Sequence, residues 1–441
     1  MPRCARSALP MLTIAEAMAV LGALIVHTWT RHSGAHEKFT GSDASMADPV
    51  VIAAAARTPL GGFQGSLSDL TATALGAAAL RAALARSGIE PDRVDEVFLG
   101  CVLTAGLGQA PARQAAMMAG LPEAVGSTAV NKVCGSGLKA IMLGHDAIAA
   151  GSAAVVAAGG MESMSNAPYL LARARSGYRL GHGQLLDHLF LDSLEEACSA
   201  ADRGRLMGAL AEDCAARMGI GRAEQDAYAR RSGERARQAS AAGAFAWEIE
   251  PVGIPGPGGG ALIAADEGPQ RFDPARIASL KPAFSTGGTI TAGNASSIAD
   301  GAAALVLLRA SLAEALGIAP LARIIAHASH AQAPAEYPTA PSRAIEKLLA
   351  RCGWRAGEVD LFEINEAFAV VALATLGQLA LPVEKVNIHG GACALGHPIG
   401  ATGARLVVTL LGALRRTGGR RGIAALCIGG GEAVALALEV C

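Results

Sequence analysis

"ALRAALARSGIEPDRVDEVFLG" (residues 79–100) has an echo late in the chain, "AIEKLLARCGWRAGEVDLFEIN" (344–365). Each reads as a helix, a short turn, a Val-Asp pair and a strand. A second pair of segments repeats in the same order. "VNKVCGSG" (130–137), a helix and "AAVVAAGGMES" (153–163) are answered by "VNIHGGACALGHPIGATG" (386–403), a helix and "IAALCIGGGEA" (423–433). Chance likeness among Ala-rich segments would have to strike twice in one order. Two copies of one α/β unit account for both matches.

Working outward, the same alternation runs along the chain. Candidate strands are Val50–Ala55, Glu96–Val102, Ala153–Ala158, Ala304–Leu308, Ala322–Ala326, Val359–Ile364, Ile423–Ile428 and Ala433–Glu439. Each is short, apolar and bounded by glycine or polar residues. Helical spacing puts Leu138, Ile141, Met142, His145 and Ile148 on one face, and Ala344, Leu348 and Leu349 likewise. Strands alternating with helices argue for an α/β fold covered on both faces. Residues 166–290 differ: "AEDCAARMGIGRAEQDAYARRSGERARQ" is a charged surface helix and "GIPGPGGG" (253–260) a loop. This reading divides the chain into an N-terminal half at 46–165, an inserted domain at 166–290, a return at 291–318 and a C-terminal half at 319–441.

The 441 residues are 51% hydrophobic and 17% charged, enough for a large apolar core. Aromatics are 4% while glycine reaches 54, which favours close approach of helices and strands. The formal net charge of −1 gives no basic field for nucleic acid. An anionic ligand must be met by local charges or backbone N–H groups. The nine cysteines are scattered without C-x-x-C spacing, arguing against a metal site or disulfide framework and for a reduced, cytoplasmic chain. At the N-terminus, "LPMLTIAEAMAVLGALIV" (9–26) contains Glu16 and is short for a membrane span. It reads as a targeting signal or as an extension upstream of Met46, where "MADPVVIAAAARTP" enters the first strand. The expectation is that residues 1–45 lie outside the fold and that no membrane is engaged.

Four stretches can carry chemistry. In "NKVCGSG", Cys134 sits in a tight turn at a helix N-terminus, where free N–H groups favour a thiolate; the alternative is a buried core thiol. In "GGACALGHPIGATGAR" (390–405), His397 is expected in a tight turn at the place in the second copy that matches Cys134, where it can take a proton from a cysteine. In "CIGGGEA" (427–433), Cys427 ends a strand, and Gly429 to Gly431 expose N–H groups fit for an oxyanion hole or merely let sheets cross closely. In "NEAFA" (365–369), Asn365 offers a donor that never ionises, or simply caps a turn.

Together "NKVCGSGLKA", "GGMESMSNAP", "TAGNASSIADGAAA", "NEAFA", "GGACALGHPIGATGAR" and "CIGGGEA" resemble the thiolase family, from about Met46 to the C-terminus and in the family's order. The resemblance implies the thiolase fold: two duplicated halves in a layered αβαβα core with an inserted loop domain. It implies an acetyl-CoA C-acetyltransferase that joins two acetyl-CoA into acetoacetyl-CoA and CoA, and the reverse, through an acyl-cysteine. Cys134 would carry the acyl group and His397 activate it. Cys427 would move the α-proton, and Asn365, through a water, and His397 would steady the enolate oxygen. The N–H groups of Cys134 and Gly429 would hold the tetrahedral oxyanion. The inserted domain would bind CoA, with Ser296 near the pantetheine and Arg271 near the nucleotide. Met207, Leu206 and Phe368 would wall the acyl pocket. No metal or redox cofactor is implied; acyl-CoA and CoA are the partners, and the assembly would be a homotetramer tethered through residues 172–188.

One departure matters. Many members read His-Met-Gly where this chain has Leu206-Met207-Gly208. The apolar replacement keeps open a 3-ketoacyl-CoA thiolase for longer or functionalised chains. A decarboxylating condensing enzyme would place a histidine at Asn365, and a Cys/His/Asn hydrolase would leave the repeat and the Cys427 loop without a role.

Overall fold

The computed structural model describes residues 48–256 and 260–441; the extension expected at 1–45 lies outside the described residues. The strands are β1 (Val50–Arg57), β2 (Gly61–Gly62), β3 (Glu96–Gly100), β4 (Gly126–Val130), β5 (Val155–Ser163), β6 (Tyr169–Leu171), β7 (Leu185–Asp187), β8 (Val252–Ile254), β9 (Ala261–Ile263), β10 (Ala299–Arg309), β11 (Ala322–Ala331), β12 (Leu361–Ile364), β13 (Arg421–Ile428) and β14 (Glu432–Val440). The main sheet runs β12-β13-β14-β11-β1-β10-β5-β3-β4, with β2 on β10.

The order is a palindrome about the β1/β11 contact. There the two strands meet antiparallel at Val51↔Arg323 and Ile52↔Ala322. On one side β1 pairs antiparallel with β10, β10 antiparallel with β5, and β5 parallel with β3. On the other, β11, β14, β13 and β12 repeat those orientations. Even the irregularities match: a bulge falls between Ile52 and Ala54 in β1 and between Ile324 and Ala326 in β11. An internal twofold therefore relates the halves. Among the described residues β4 and the short β2 break it; the other half answers β4 with a single bridge, Phe362↔Val386. The sequence reading passed over β4 because "GSTAV" is polar, and it is an edge strand with Thr128 and Ala129 exposed.

The helices complete five layers. The longer ones are α1 (Ala72–Ser87), α2 (Pro111–Met118), α3 (Ser136–Ala150), α4 (Met207–Met218), α5 (Arg222–Ala241), α6 (Ala340–Cys352), α7 (Ala369–Leu379) and α8 (Thr402–Thr417). Alternate residues of each strand face opposite layers, as the pleat requires. In β10, Ala302, Ala304, Val306 and Leu308 pack toward α1, while Ala303, Leu305 and Leu307 pack toward α3 and α8. In β14, Val434, Leu436 and Leu438 join that same central core, and Ala433, Ala435 and Ala437 face α6. The layers thus run α1/α2, first-half sheet, α3/α8, second-half sheet, α6. Being covered on both sides, α8 is buried continuously from Thr402 to Leu414. Its first turn presses on that of α3: a Cβ on Gly137 would sit 2.9 Å from the Ala404 nitrogen, and one on Gly403 would collide with the Leu138 backbone.

Between β5 and β10 the chain leaves the layers for the β6–β7 hairpin, α4, α5 and the β8–β9 hairpin. This excursion is tied to the second half through the buried Glu366, which accepts from Tyr228 Oη (2.9 Å) and Ser232 Oγ (2.7 Å) on α5.

Candidate active site

Cys134 lies between β4 and α3 in a turn braced from several directions. Val133 N–H donates to Asn131 Oδ1 (3.0 Å), Gly135 N–H to the Lys132 carbonyl (3.0 Å), and Lys132 N–H to Ser136 Oγ (2.8 Å). Lys132 also forms an ion pair with Glu432 on β14. These contacts hold Val133 at φ 46°, a left-handed conformation that a β-branched residue resists. Gly135 is required by packing, since a Cβ there would meet Ile428. Part of Cys134 is open, yet its thiol is desolvated and pushed up to about 11. The N–H groups of Gly429 and of Cys134 itself face the sulfur and pull the other way.

His397 is positioned by the chain that enters α8. Its N–H donates to the Ser297 carbonyl at 2.9 Å. Its Nδ1 lies 2.7 Å from Thr402 Oγ1, which in turn donates to the Pro398 carbonyl at 2.9 Å. A hydroxyl has one hydrogen. With that hydrogen on Pro398, Thr402 accepts from Nδ1–H, and the Nε2 lone pair is left free. Burial, with a contribution from Arg405, pulls the imidazole down to about 3. The resting pair is therefore a neutral thiol and a neutral imidazole. Counted from the starts of α3 and α8, the position matching Cys134 is Gly400. His397 stands three residues earlier, a displacement that the sequence repeat does not reveal.

Asn365 follows β12 and is fully buried. Its Nδ2 approaches His397 Nε2 at 3.5 Å, and its Oδ1 has no protein partner. A buried acceptor without a donor is costly, about 1–3 kcal/mol, unless a water or ligand supplies one. Cys427, at the end of β13, is 1% exposed. Burial first, then the neighbouring charge of Cys134, push its thiol well up. Past it, Gly430 and Gly431 both take φ 85°. Gly429 lies against Met207 and Val133: a Cβ there would be 3.4 Å from Met207 Sδ and 3.7 Å from Val133 Cγ1. Cys134, His397, Asn365, Cys427 and Gly429 thus form one neighbourhood at the meeting of the two halves.

A cleft of about 720 Å³ leads there. Its lining includes Leu206, Met207, Phe368, Ser296 and Arg271, and it reaches His397. Leu206 precedes α4. Phe368 stands edge-to-face with Phe284 at 5.7 Å between centroids. Ser296 is held by its N–H to the Ala367 carbonyl at 3.0 Å. Arg271, its side chain 70% exposed, pairs with Glu267 at 2.7 Å. Burial would raise the Glu267 carboxyl, but donors from Ser66, Gly62 and Arg271 bring it down to about 2.

Sequence reasoning missed three members of this neighbourhood. Glu162, a single acid in an otherwise apolar strand, accepts from the N–H groups of Val102 (3.0 Å), Leu103 (3.1 Å) and Gly400 (2.9 Å). It sews the His397 turn to the first half, and burial raises it to about 7. Glu366, next to Asn365, collects four further donors from α5 and the second half. The buried Tyr337 donates to the Met207 carbonyl at 2.8 Å, and Cys427 and Cys134 both bear on its hydroxyl. The lone acid in β5 was the available signal for Glu162; nothing local marks Tyr337.

Comparison with known proteins agrees with this fold. The family model described as thiolase, N-terminal domain, matches residues 50–311, and that for the thiolase C-terminal domain matches 318–440. An acetyl-CoA acetyltransferase 2 of Arabidopsis thaliana is 51% identical over 394 residues, covering 89% of this chain and 97% of that protein. An acetyl-CoA acetyltransferase of Pseudomonas aeruginosa is 48% identical, covering 88% and 98%. Among solved structures, the acetyl-CoA acetyltransferase of Bacillus anthracis superposes with a TM-score of 0.86 at 41% identity, covering 89% of this chain and 99% of its own. A thiolase of Ascaris suum in complex with coenzyme A gives 0.84 at 39% identity, covering 89% and 100%. The chain belongs to the thiolase family.

Proposed function

We propose that this chain is an acetyl-CoA C-acetyltransferase, condensing two acetyl-CoA into acetoacetyl-CoA and CoA and running the reverse thiolysis. What supports it is that Cys134 faces the Gly429 N–H and bears on the buried Cys427, while Asn365, after the strand paired with that of Cys427, approaches His397 Nε2 at 3.5 Å. As the Cys134 sulfur attacks the thioester carbonyl, His397 Nε2 takes the thiol proton. The oxyanion meets the N–H groups of Cys134 and Gly429. The bond to the CoA sulfur then breaks, and the proton leaves with it. A thiolate and a thioester exchange readily because attacker and leaving group are alike. Cys427 gives its own proton to His397, left neutral once CoA has gone, and the thiolate so formed removes an α-proton from the second acetyl-CoA, with Asn365, through a water, facing the enolate oxygen. The enolate carbon attacks the acyl carbon, the bond to Cys134 breaks, its sulfur takes the proton back from His397, and acetoacetyl-CoA leaves. No electrons are gained or lost overall, so the chemistry calls for no redox cofactor.

The acyl-CoA would lie along the cleft, with its pantetheine past Ser296 and its nucleotide near Arg271. We place the enzyme in the cytoplasm as a dimer of dimers. The exposed apolar residues Tyr169, Leu171, Leu180 and Leu185, on and between β6 and β7, support that assembly. No described helix is long and apolar enough to cross a membrane.

A second reading, a thiolase for longer 3-ketoacyl-CoA, rests on Leu206, which joins Met207, Phe284 and Phe368 in an apolar wall. Thiolysis rates over a series of 3-ketoacyl-CoA chain lengths separate the two. Acetoacetyl-CoA is expected to have the highest kcat/KM; a maximum at six carbons or more would replace the first reading with the second.

A further inference from the structure

Away from the cleft, α3 and β11 bring together titratable groups that the chemistry above does not use. His145 Nδ1 lies 3.2 Å from Asp146 Oδ1, and His327 Nε2 lies 2.8 Å from the same oxygen. One ligand atom from each residue falls within 4.8 Å of the others. The two imidazoles stand edge-to-face with centroids 5.0 Å apart. The histidine side chains are 20% and 15% exposed and that of Asp146 is 51% exposed. The rings are therefore backed by protein while the carboxylate opens to solvent. The backbone behind them is rigid: His327 is paired with Leu436 inside the main sheet, and α3 is a central-layer helix capped by Gly151.

We propose that His145, Asp146 and His327 form a binding site for a divalent transition metal ion of the zinc type. Two imidazoles and a carboxylate are the donor set such borderline ions take, with water completing the shell on the open side. Metal–ligand distances of about 2.0–2.2 Å put neighbouring ligand atoms of a tetrahedral shell about 3.3–3.6 Å apart. The two nitrogen–oxygen separations, 3.2 and 2.8 Å, are shorter, so the side chains must open slightly to surround an ion. On binding, each ring presents the lone pair of the nitrogen now facing Asp146 and carries its proton on the other nitrogen; no bond to carbon changes. The ion would tie α3, whose first turn follows Cys134, to the first strand of the second half. Lys139 on α3 also bears on His327, and its charge opposes a cation, so the affinity is expected in the micromolar range.

Zinc titration by calorimetry tests the site on metal-stripped full chain, wild type beside Cys134→Ala, His145→Gln, His327→Gln and Asp146→Asn. Circular dichroism checks that each variant is folded. Wild type and Cys134→Ala should each bind one zinc more than His327→Gln, and His145→Gln and Asp146→Asn should weaken that event about tenfold or more. Cobalt in its place should give weak visible bands without the strong near-ultraviolet band of a sulfur ligand. Equal binding by wild type and the histidine variants, loss only in Cys134→Ala, or no binding up to about 1 mM zinc would overturn the proposal.

Discussion

The two halves share a scaffold but use it oppositely at the site. By strand register, Gly100 at the end of β3 stands where Asn365 stands after β12, and Met161 in β5 stands where Cys427 stands in β13. The first half makes room. A Cβ on Gly100 would lie 2.5 Å from the Gly400 carbonyl oxygen and 2.6 Å from the Gly137 nitrogen. Removing that side chain lets the His397 turn settle onto β3 and β5, where Glu162 secures it through the Gly400 N–H. Where the first half has a glycine and a methionine, the second half places an amide and a thiol. The lesson is that symmetry supplies the frame and the candidate reactive set gathers where symmetry fails.

That contrast can be broken by substitution. His397→Asn removes the proton acceptor of the second-half turn and should slow acylation by about 10²–10⁴-fold. Its pH profile should also change sign of argument. With the imidazole pulled down to about 3 and the thiol pushed up to about 11, the base stays neutral and the thiol stays protonated between pH 5 and 9. Wild-type acylation, followed by rapid-quench CoA release, should therefore be flat across that window. Without the base, the rate must track thiolate and rise about tenfold per pH unit.

Asn365→Ala should cost about 10²–10³-fold in condensation while leaving stability in urea nearly unchanged, because its Oδ1 has no protein partner to lose. Gly100→Ala, at the matching place, should do the reverse. It should lose about 3 kcal/mol of stability by overpacking, and because the added Cβ presses on the His397 turn, the fraction that folds should acylate more slowly, by less than the loss Asn365→Ala causes in condensation. If both variants lost mainly activity, or both mainly stability, the division of labour between the halves would be wrong. The smallest effect is expected from Thr402→Val, about 10- to 100-fold in kcat with KM little changed, since the ring remains in place but no longer holds its proton on Nδ1.

Much of this arrangement could be read from residues alone, because two short segments recur in order. The candidate strands all occur, and the five layers follow from the alternation of their side chains. Among the candidate residues, Cys134, His397 and Cys427 were visible because glycines lie next to or near them, while Asn365 was marked only by its place at a strand end. What escaped had a physical reason. β4 is a polar edge strand, and edge strands carry no inward apolar run. Glu162, Glu366 and Tyr337 act across hundreds of residues or between elements, and no local pattern marks a buried acid that will find four donors. The offset of His397 from the place matching Cys134 depends on the turn before α8, which repeat matching cannot measure.

The most direct test of the central claim is intact mass and product analysis after mixing acetyl-CoA with two variants. Cys427→Ala should gain one acetyl group on Cys134, release one CoA and form no acetoacetyl-CoA, while Cys134→Ala should gain nothing. An acetyl group retained by Cys134→Ala, or acetoacetyl-CoA formed by Cys427→Ala at near the wild-type rate, would contradict a site in which one sulfur holds the acyl group and the other moves the proton.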